Sequence, residues 1–238
     1  MRTRTGKIGI ALLAVPAIQL IFASFLPANA TESNLSAADN TLILTSSALV
    51  LLMTPGLAFF YGGFTQAKNV LNTMAMSFVM MGIATIVWST IGFSLAFSDG
   101  GASNAYIGNP STYAFLENLP SNWEGLQIPG LSFALFQGMF AIITPALISG
   151  ALVERISFRF WCFFTPIWIL LVYAPLAHMV WGGGLLGKDL DFAGGTVVHI
   201  SSGVSALVLA GLIGSRSTWP KKTKPPHDIT QILIGTGL

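Results

Sequence analysis

One histidine lies deep within a long apolar stretch of this 238-residue chain. His199 is eight residues into the stretch that begins at Phe192. Ionisable side chains at such depth in a membrane are costly and normally face the interior of a helix bundle or a cavity. The residues that share its helical face, at intervals of four, are Asp191, Gly195 and Gly203. Small residues let another helix or a narrow passage approach closely. The position therefore favours a functional histidine, and a buried structural histidine is the alternative.

A carboxylate stands where the same stretch begins. Asp191 can accept hydrogen bonds from the free N–H groups at the start of a helix, which its negative charge also favours. Capping is therefore its more direct role. A half-buried carboxylate at this point would in addition favour a cation at the outer end of the helix, and the two roles can coexist.

Aromatic residues form a second candidate group. Phe133, Phe136 and Phe140 recur at helical spacing, with Gln137 beside them. Such a stripe is typical of packing or lipid contact, and a constriction of a pore is the alternative. Trp181 ends another apolar stretch, where tryptophan commonly anchors a helix at the bilayer interface. Its ring face could equally bind a cation.

Catalytic arrangements are not supported by these residues. Ser205 lies near His199, but it falls within an uninterrupted helical stretch, where a nucleophile elbow cannot form. His178 and His199 differ in membrane depth and so do not match as axial haem ligands. The lone Cys162 excludes a disulfide framework and a cysteine-based metal site. We therefore expect no enzyme activity, no metal and no cofactor.

The elements that must position these residues are membrane helices. The chain is 53% hydrophobic and only 8% charged, with a mean hydropathy of +0.72. This composition excludes a disordered, nucleic-acid-binding or ordinary cytosolic protein. Runs longer than the roughly 20 residues that cross a bilayer predict five spans. They lie near residues 41–63, 70–97, 131–153, 160–181 and 192–214, and a sixth begins at 229–238.

The first thirty residues resemble a targeting segment. A positively charged start precedes an apolar run from Ile8 to Phe25, and Ala28-Asn29-Ala30 has the form of a cleavage site. Residues 1–30 are therefore predicted to be a signal peptide, and an uncleaved first helix is the alternative. Seven basic residues then fall in the inner loops against Lys188 alone in the outer segments. This asymmetry predicts an N-terminus on the outside.

Several ordered motifs carry a family resemblance. From about residue 39 to residue 216 the chain resembles the ammonium transporters (Amt/Mep/Rh). The motifs are Thr54–Gly63 (TPGLAFFYGG), Lys68–Leu71 (KNVL), Phe136–Phe140 (FQGMF), Gly150–Arg155 (GALVER), Ala177–Gly184 (AHMVWGGG) and Leu190–His199 (LDFAGGTVVH).

The resemblance implies a role for each candidate residue. Phe140 corresponds to a gate phenylalanine, and Phe136 and Trp181 shape an outer site that recruits ammonium. Asp191 supports that site structurally. His199 corresponds to the first of two pore histidines that assist proton handling. The implied function is transport of ammonium or ammonia across a bacterial inner membrane.

The resemblance also implies an architecture. We expect an all-α polytopic membrane protein, namely an ammonium-transporter-like helical bundle made of the first five-helix inverted repeat plus part of a sixth helix. Family members form trimers, and a homotrimer without nucleic acid is expected here. Residues 31–238 would be a truncated transporter domain, since a second repeat has no counterpart. A non-conducting ammonium sensor, an accessory subunit or an incomplete remnant is the alternative function.

Overall fold

The computed structural model describes residues 35–188, 191–216, 219–220 and 225–238. The predicted signal peptide, residues 1–30, lies outside the described residues. Regular secondary structure in the described part is entirely helical. Five of its helices are long and apolar enough to cross a membrane. They are α1 (Ala37–Phe64), α2 (Ala67–Phe97), α3 (Gly130–Leu152), α4 (Phe158–Trp181) and α5 (Thr196–Ile213), and a short α6 (Ile229–Gly237) follows.

Three of the spanning helices contain a wider, π-helical turn. These turns lie at Trp88–Gly92 in α2, at Ile169–Tyr173 in α4 and at Thr196–Ile200 in α5. The turn in α4 follows Pro166, which has no N–H to continue the regular hydrogen-bond ladder. Such turns shift the faces of a helix relative to a regular α-helix and are frequent at functional sites.

Helix α3 lies at the centre of the described helices because its glycines admit aromatic rings from its neighbours. A Cβ on Gly138 would lie 3.0 Å from the Trp88 ring of α2, and a Cβ on Gly150 would overlap the Tyr61 ring of α1. The Tyr61 hydroxyl then donates a hydrogen bond to the carbonyl oxygen of Leu147 at 3.0 Å. Small residues on α3 thus set the close approach of α1 and α2.

The short α6 lies against the C-terminal half of α1. A Cβ on Gly235 would overlap the backbone at Phe60, and a Cβ on Gly56 would lie 3.0 Å from the Cβ of Leu238. The backbone N–H of His227 also donates to the carbonyl oxygen of Gly63 at 3.1 Å. Glycine on both helices therefore permits the close contact.

An aromatic cluster holds the long loop, residues 98–129, on the adjoining ends of α2 and α3. We call this side of the fold outer and the opposite side inner, after the orientation that the sequence predicts. The Trp123 ring of the loop stacks on Phe133 at a centroid distance of 4.3 Å and an interplanar angle of 15°. Phe97 of α2 meets the same Phe133 edge-on at 5.0 Å. Phe133 is thus a packing residue. It contacts different neighbours from the other residues of the predicted aromatic stripe, Phe136 and Phe140.

A carboxylate fixes the inner side of the fold. Glu154 follows α3 with a left-handed φ of +64°, and its oxygens accept hydrogen bonds from the turn between α1 and α2. The donors are Thr65 Oγ1 at 3.1 Å, the Gln66 backbone N–H at 3.0 Å, Gln66 Nε2 at 2.9 Å and Asn69 Nδ2 at 3.1 Å. Burial alone would raise the pKa of Glu154, but these hydrogen bonds outweigh it and lower the pKa to about 2.

We predict that Glu154→Gln lowers the free energy of unfolding by about 2 kcal/mol, because an amide presents its own N–H groups to donors that need an acceptor. The lowered pKa means that the contribution of Glu154 is complete above its ordinary pKa of 4.5 and is lost as the pH falls towards about 2. Unfolding in mixed detergent micelles measures both effects. Glu117→Gln, in the exposed outer loop, is the control and should change little. Equal stability of the two variants would refute the role of Glu154.

Candidate functional site

Three aromatic rings meet between the first half of α3 and the end of α4. Phe136 and Phe140, one turn apart on α3, contact edge to face at a centroid distance of 5.1 Å. Phe140 lies 6.4 Å from Trp181 at an interplanar angle of 66°. The structure therefore brings together the three residues that the sequence singled out for an outer site. We call this group the outer aromatic site.

The carboxylate of Asp191 joins this site to the start of α5. Its Oδ2 accepts a hydrogen bond from the Trp181 indole N–H at 3.1 Å, and its Oδ1 accepts one from the Thr196 backbone N–H at 3.1 Å. The second contact is the expected capping interaction. Gly194, with a left-handed φ of +71°, lets the chain pass the indole, because a Cβ there would lie 3.3 Å from Trp181 Cζ2. A single carboxylate thus orients the ring and caps the helix.

A cavity of about 410 Å³ adjoins Trp181 on the outer side. Several of its walls are aromatic and come from α2 and the outer loop, and Glu124 adds an exposed carboxylate. Aromatic faces and a carboxylate both attract a cation. The sequence analysis did not predict that the loop lines this cavity. The aromatic residues of the loop were the feature that could have indicated it. The lining residues are Phe97, Tyr113, Pro120, Asn122, Trp123, Glu124, Trp181 and Gly182.

His199 lies within the π-helical turn that begins α5. Its side chain is exposed, and a Cβ built on Gly195 or Gly203 would meet nothing within 4 Å. The regular four-residue spacing predicted for this face is altered, since a π-helical turn contains more residues than an α-helical turn. We call this surface of α5, formed by Gly195, His199 and Gly203, the histidine face. In the described part of the chain His199 and Gly203 are exposed and Gly195 is half-buried.

The comparisons with known proteins identify the family of the chain. The model of the Ammonium Transporter Family matches residues 41–238. The chain belongs to this family. The ammonium transporter of Aquifex aeolicus is 42% identical over 221 residues, which cover 92% of this chain and 51% of the relative.

Solved structures of the ammonium transporter family share the fold. The crystal structure of Saccharomyces cerevisiae Mep2 aligns with a TM-score of 0.76 and 33% identity, over 86% of this chain and 46% of that chain. A structure described as Sensor Amt Protein aligns with a TM-score of 0.75 and 26% identity, over 83% of this chain and 51% of that chain. The predicted all-helical membrane bundle is therefore confirmed, and the protein is a multi-pass membrane protein.

The match is to part of each relative. The chain spans about half the length of the curated ammonium transporters that it matches.

We predict that Asp191→Ala destabilises the protein by about 2 kcal/mol, because it removes a helix cap and leaves the Trp181 indole N–H without its acceptor. Asp191→Asn should cost less, since the amide oxygen can still accept one hydrogen bond. The measurement is unfolding in mixed micelles. Asp99→Ala is the matched control, because Asp99 is exposed and accepts only a local hydrogen bond from Gly101. If Asp191→Ala is as stable as this control, the carboxylate does not hold the site together.

Proposed function

We propose that residues 31–238 form one half of an ammonium-conducting pore and supply its outer recruitment site. The observation that carries this proposal is the chain of contacts from Phe136 through Phe140 and Trp181 to Asp191. Trp181 and Phe140 present aromatic faces to a cation that is losing its water. Asp191 orients Trp181 and contributes negative charge at the N–H edge of the ring. Its role in the site is structural support, and the cation meets the rings.

Selectivity then follows from the passage beneath the rings. Ammonium and potassium are similar in size, so a cation site alone separates them poorly. A narrow apolar passage penalises every charged species strongly. Ammonium can leave its proton and cross as ammonia, whereas a potassium ion cannot lose its charge. A gate at Phe140 followed by an apolar passage therefore favours ammonium.

His199 lines this passage in our proposal. A neutral imidazole has one N–H donor and one acceptor nitrogen, which suits hydrogen bonding to ammonia and the relay of a proton. The opposite wall, which would cover the histidine face, comes from the second half of a full-length transporter. The exposure of His199 and the open space at Gly195 and Gly203 support this arrangement.

The remaining features of the proposal follow from the family. The protein acts as a transporter and not as an enzyme, lies in a bacterial inner membrane with its N-terminus outside, and assembles as a homotrimer. The curated relatives with which it aligns are ammonium transporters, which favours conduction over a non-conducting sensor or accessory subunit. The fold by itself does not separate these functions, since a sensor protein shares it.

The gate is tested in a chimera that joins residues 31–238 to the second half of the Aquifex aeolicus relative. Phe140→Ala in this chimera should lower ammonium uptake or its selectivity at least about tenfold, because it opens the outer aromatic site to water and removes a cation-binding face. Uptake into proteoliposomes is measured against potassium. Phe163→Ala is the control, because Phe163 is 71% exposed on α4, outside the site. Unchanged rate and selectivity would remove Phe140 from the mechanism.

The histidine is tested by charge and by deletion in the same chimera. We expect His199→Glu to admit potassium, because a carboxylate in the passage would stabilise a dehydrated cation. We expect His199→Ala to fold but to transport ammonium poorly, because the hydrogen-bonding group is lost. Potassium conductance and ammonium uptake are measured in liposomes, with His227→Ala on the exposed inner loop as the control. Wild-type behaviour of both variants would make His199 a packing residue.

A further inference from the structure

The cavity of about 410 Å³ beside Trp181 is not used by the proposed mechanism. An ammonium ion is similar in size to a water molecule, whose share of liquid volume is about 30 Å³. The cavity is therefore much larger than this ion requires. Its volume lies instead within the range of small-molecule sites, which is roughly 300–1,000 Å³. The size of the cavity thus points to a bulkier ligand than ammonium.

Three of the lining residues are aromatic rings that are inclined to one another. Phe97 lies 6.2 Å from Trp123 between ring centroids, at an interplanar angle of 86°. Tyr113 lies 6.0 Å from Trp123, at an angle of 56°. Inclined rings enclose a space, whereas stacked rings fill it. Trp181 adds a fourth ring to the lining, and several rings around one space are typical of sites for quaternary ammonium ions.

Buried rings behind the cavity hold these walls in place. Phe93 is 0% exposed. Its ring centroid lies 5.3 Å from that of Phe97, 5.8 Å from that of Tyr113 and 5.6 Å from that of Trp123. Phe133 in turn stacks on one face of Trp123. A ligand would therefore meet aromatic walls that are already ordered, which lowers the entropic cost of binding.

Hydrogen bonds fix the loop that carries two of these rings. The backbone N–H of Tyr113 donates to Ser94 Oγ at 2.9 Å, and that of Trp123 donates to the carbonyl oxygen of Ile128 at 2.9 Å. Ser94 belongs to α2, so the first of these bonds joins the loop to a spanning helix. The cavity is therefore a built feature of the fold and not a gap beneath a loosely held loop.

The charge of the lining selects a cation. Of the lining residues in the described part of the chain, Glu124 alone is charged. A carboxylate and the faces of aromatic rings attract a cation, and both repel an anion. A quaternary ammonium ion suits these walls, because it has no N–H group that needs a hydrogen-bond acceptor.

We propose that this cavity binds quaternary ammonium cations of about the size of choline. Trp181 belongs both to the cavity and to the outer aromatic site, where its ring contacts Phe140 and its indole N–H donates to Asp191. A cation in the cavity places a positive charge beside the ring that receives ammonium, and it therefore inhibits ammonium uptake. The inhibition rests on the proposed function of the outer aromatic site, whereas the binding of the cation does not.

Binding is measured by titrating the full chain with choline in maltoside micelles and recording the ¹⁵N-labelled tryptophan indoles by NMR. The signals are assigned with Trp123→Phe, Trp181→Phe and Trp219→Phe. We expect the signals of Trp123 and Trp181 to shift and to saturate. The signal of Trp219, which is 65% exposed on the inner side, should stay unchanged. Absence of saturable shifts at Trp123 and Trp181 would overturn the proposal.

The neutral isostere of choline, in which carbon replaces the charged nitrogen, tests the role of charge. It has the shape of choline but attracts neither a carboxylate nor a ring face as a cation does. We therefore expect it to bind at least about tenfold more weakly than choline in the same titration. Equal affinities would make the cavity a general apolar site and would overturn its assignment to cations.

Two pairs of variants test the walls of the cavity. Glu124→Gln should weaken choline binding about threefold, because it removes an exposed charge. Glu117→Gln, exposed in the same loop, should leave the affinity unchanged. Tyr113→Leu removes an aromatic face and should weaken binding at least about threefold, whereas Tyr113→Phe should retain it. Since Glu124 is exposed, its variant tests the site independently of the folding of Tyr113→Leu. Wild-type affinity in both Glu124→Gln and Tyr113→Leu would overturn the assignment.

Inhibition is measured as ammonium uptake by the chimera in proteoliposomes with choline outside. We expect choline to lower uptake, and Glu124→Gln to raise the concentration for half inhibition about threefold. Unchanged uptake at a choline concentration that saturates the NMR shifts would overturn the inhibitory role. If the chimera failed to transport ammonium while choline still bound, the proposed function and the inhibition would fall together and the assignment of the cavity would stand.

Discussion

A membrane interior offers no water to polar groups, so every donor and acceptor there needs a partner from the protein. In this structure the constraint is met most fully at the ends of the helices. At the outer end Asp191 accepts from the Trp181 indole and from the first N–H of α5. At the inner end Glu154 accepts from the turn that joins α1 to α2. Two carboxylates therefore fix the segments between which the spanning helices pack.

Within the helices, several hydroxyl groups donate to carbonyl oxygens of their own helix. Thr144 donates to the carbonyl oxygen of Phe140 at 2.6 Å, and Ser202 donates to that of Val198 at 2.7 Å. These local bonds let polar side chains lie in apolar surroundings without a partner on another helix. Aromatic rings then fill the spaces that Gly138 and Gly150 leave, and Phe140 and Trp181 are in edge-to-face contact.

Much of this arrangement was predictable from the sequence, because length and the absence of charge define membrane helices, and the motif around Asp191 and His199 defines the family. The π-helical turns were not predictable, since their residues are as apolar as those of a regular helix, and the turn at Thr196–Ile200 displaces the face of His199. Phe133 could not be separated from Phe140 by spacing. Only the stacking of Trp123 from a distant loop assigns Phe133 to the core.

The histidine face is open within the described residues. His199 is exposed there, beside glycines at which an added Cβ would meet nothing within 4 Å. We propose that this surface is one wall of a pore and that the second half of a full-length transporter completes the pore. The most direct measurement compares ammonium-dependent pH change in liposomes that hold residues 31–238 alone with those that hold the chimera. The account predicts saturable transport by the chimera and none by the shorter chain. Robust, saturable transport by residues 31–238 alone would contradict it.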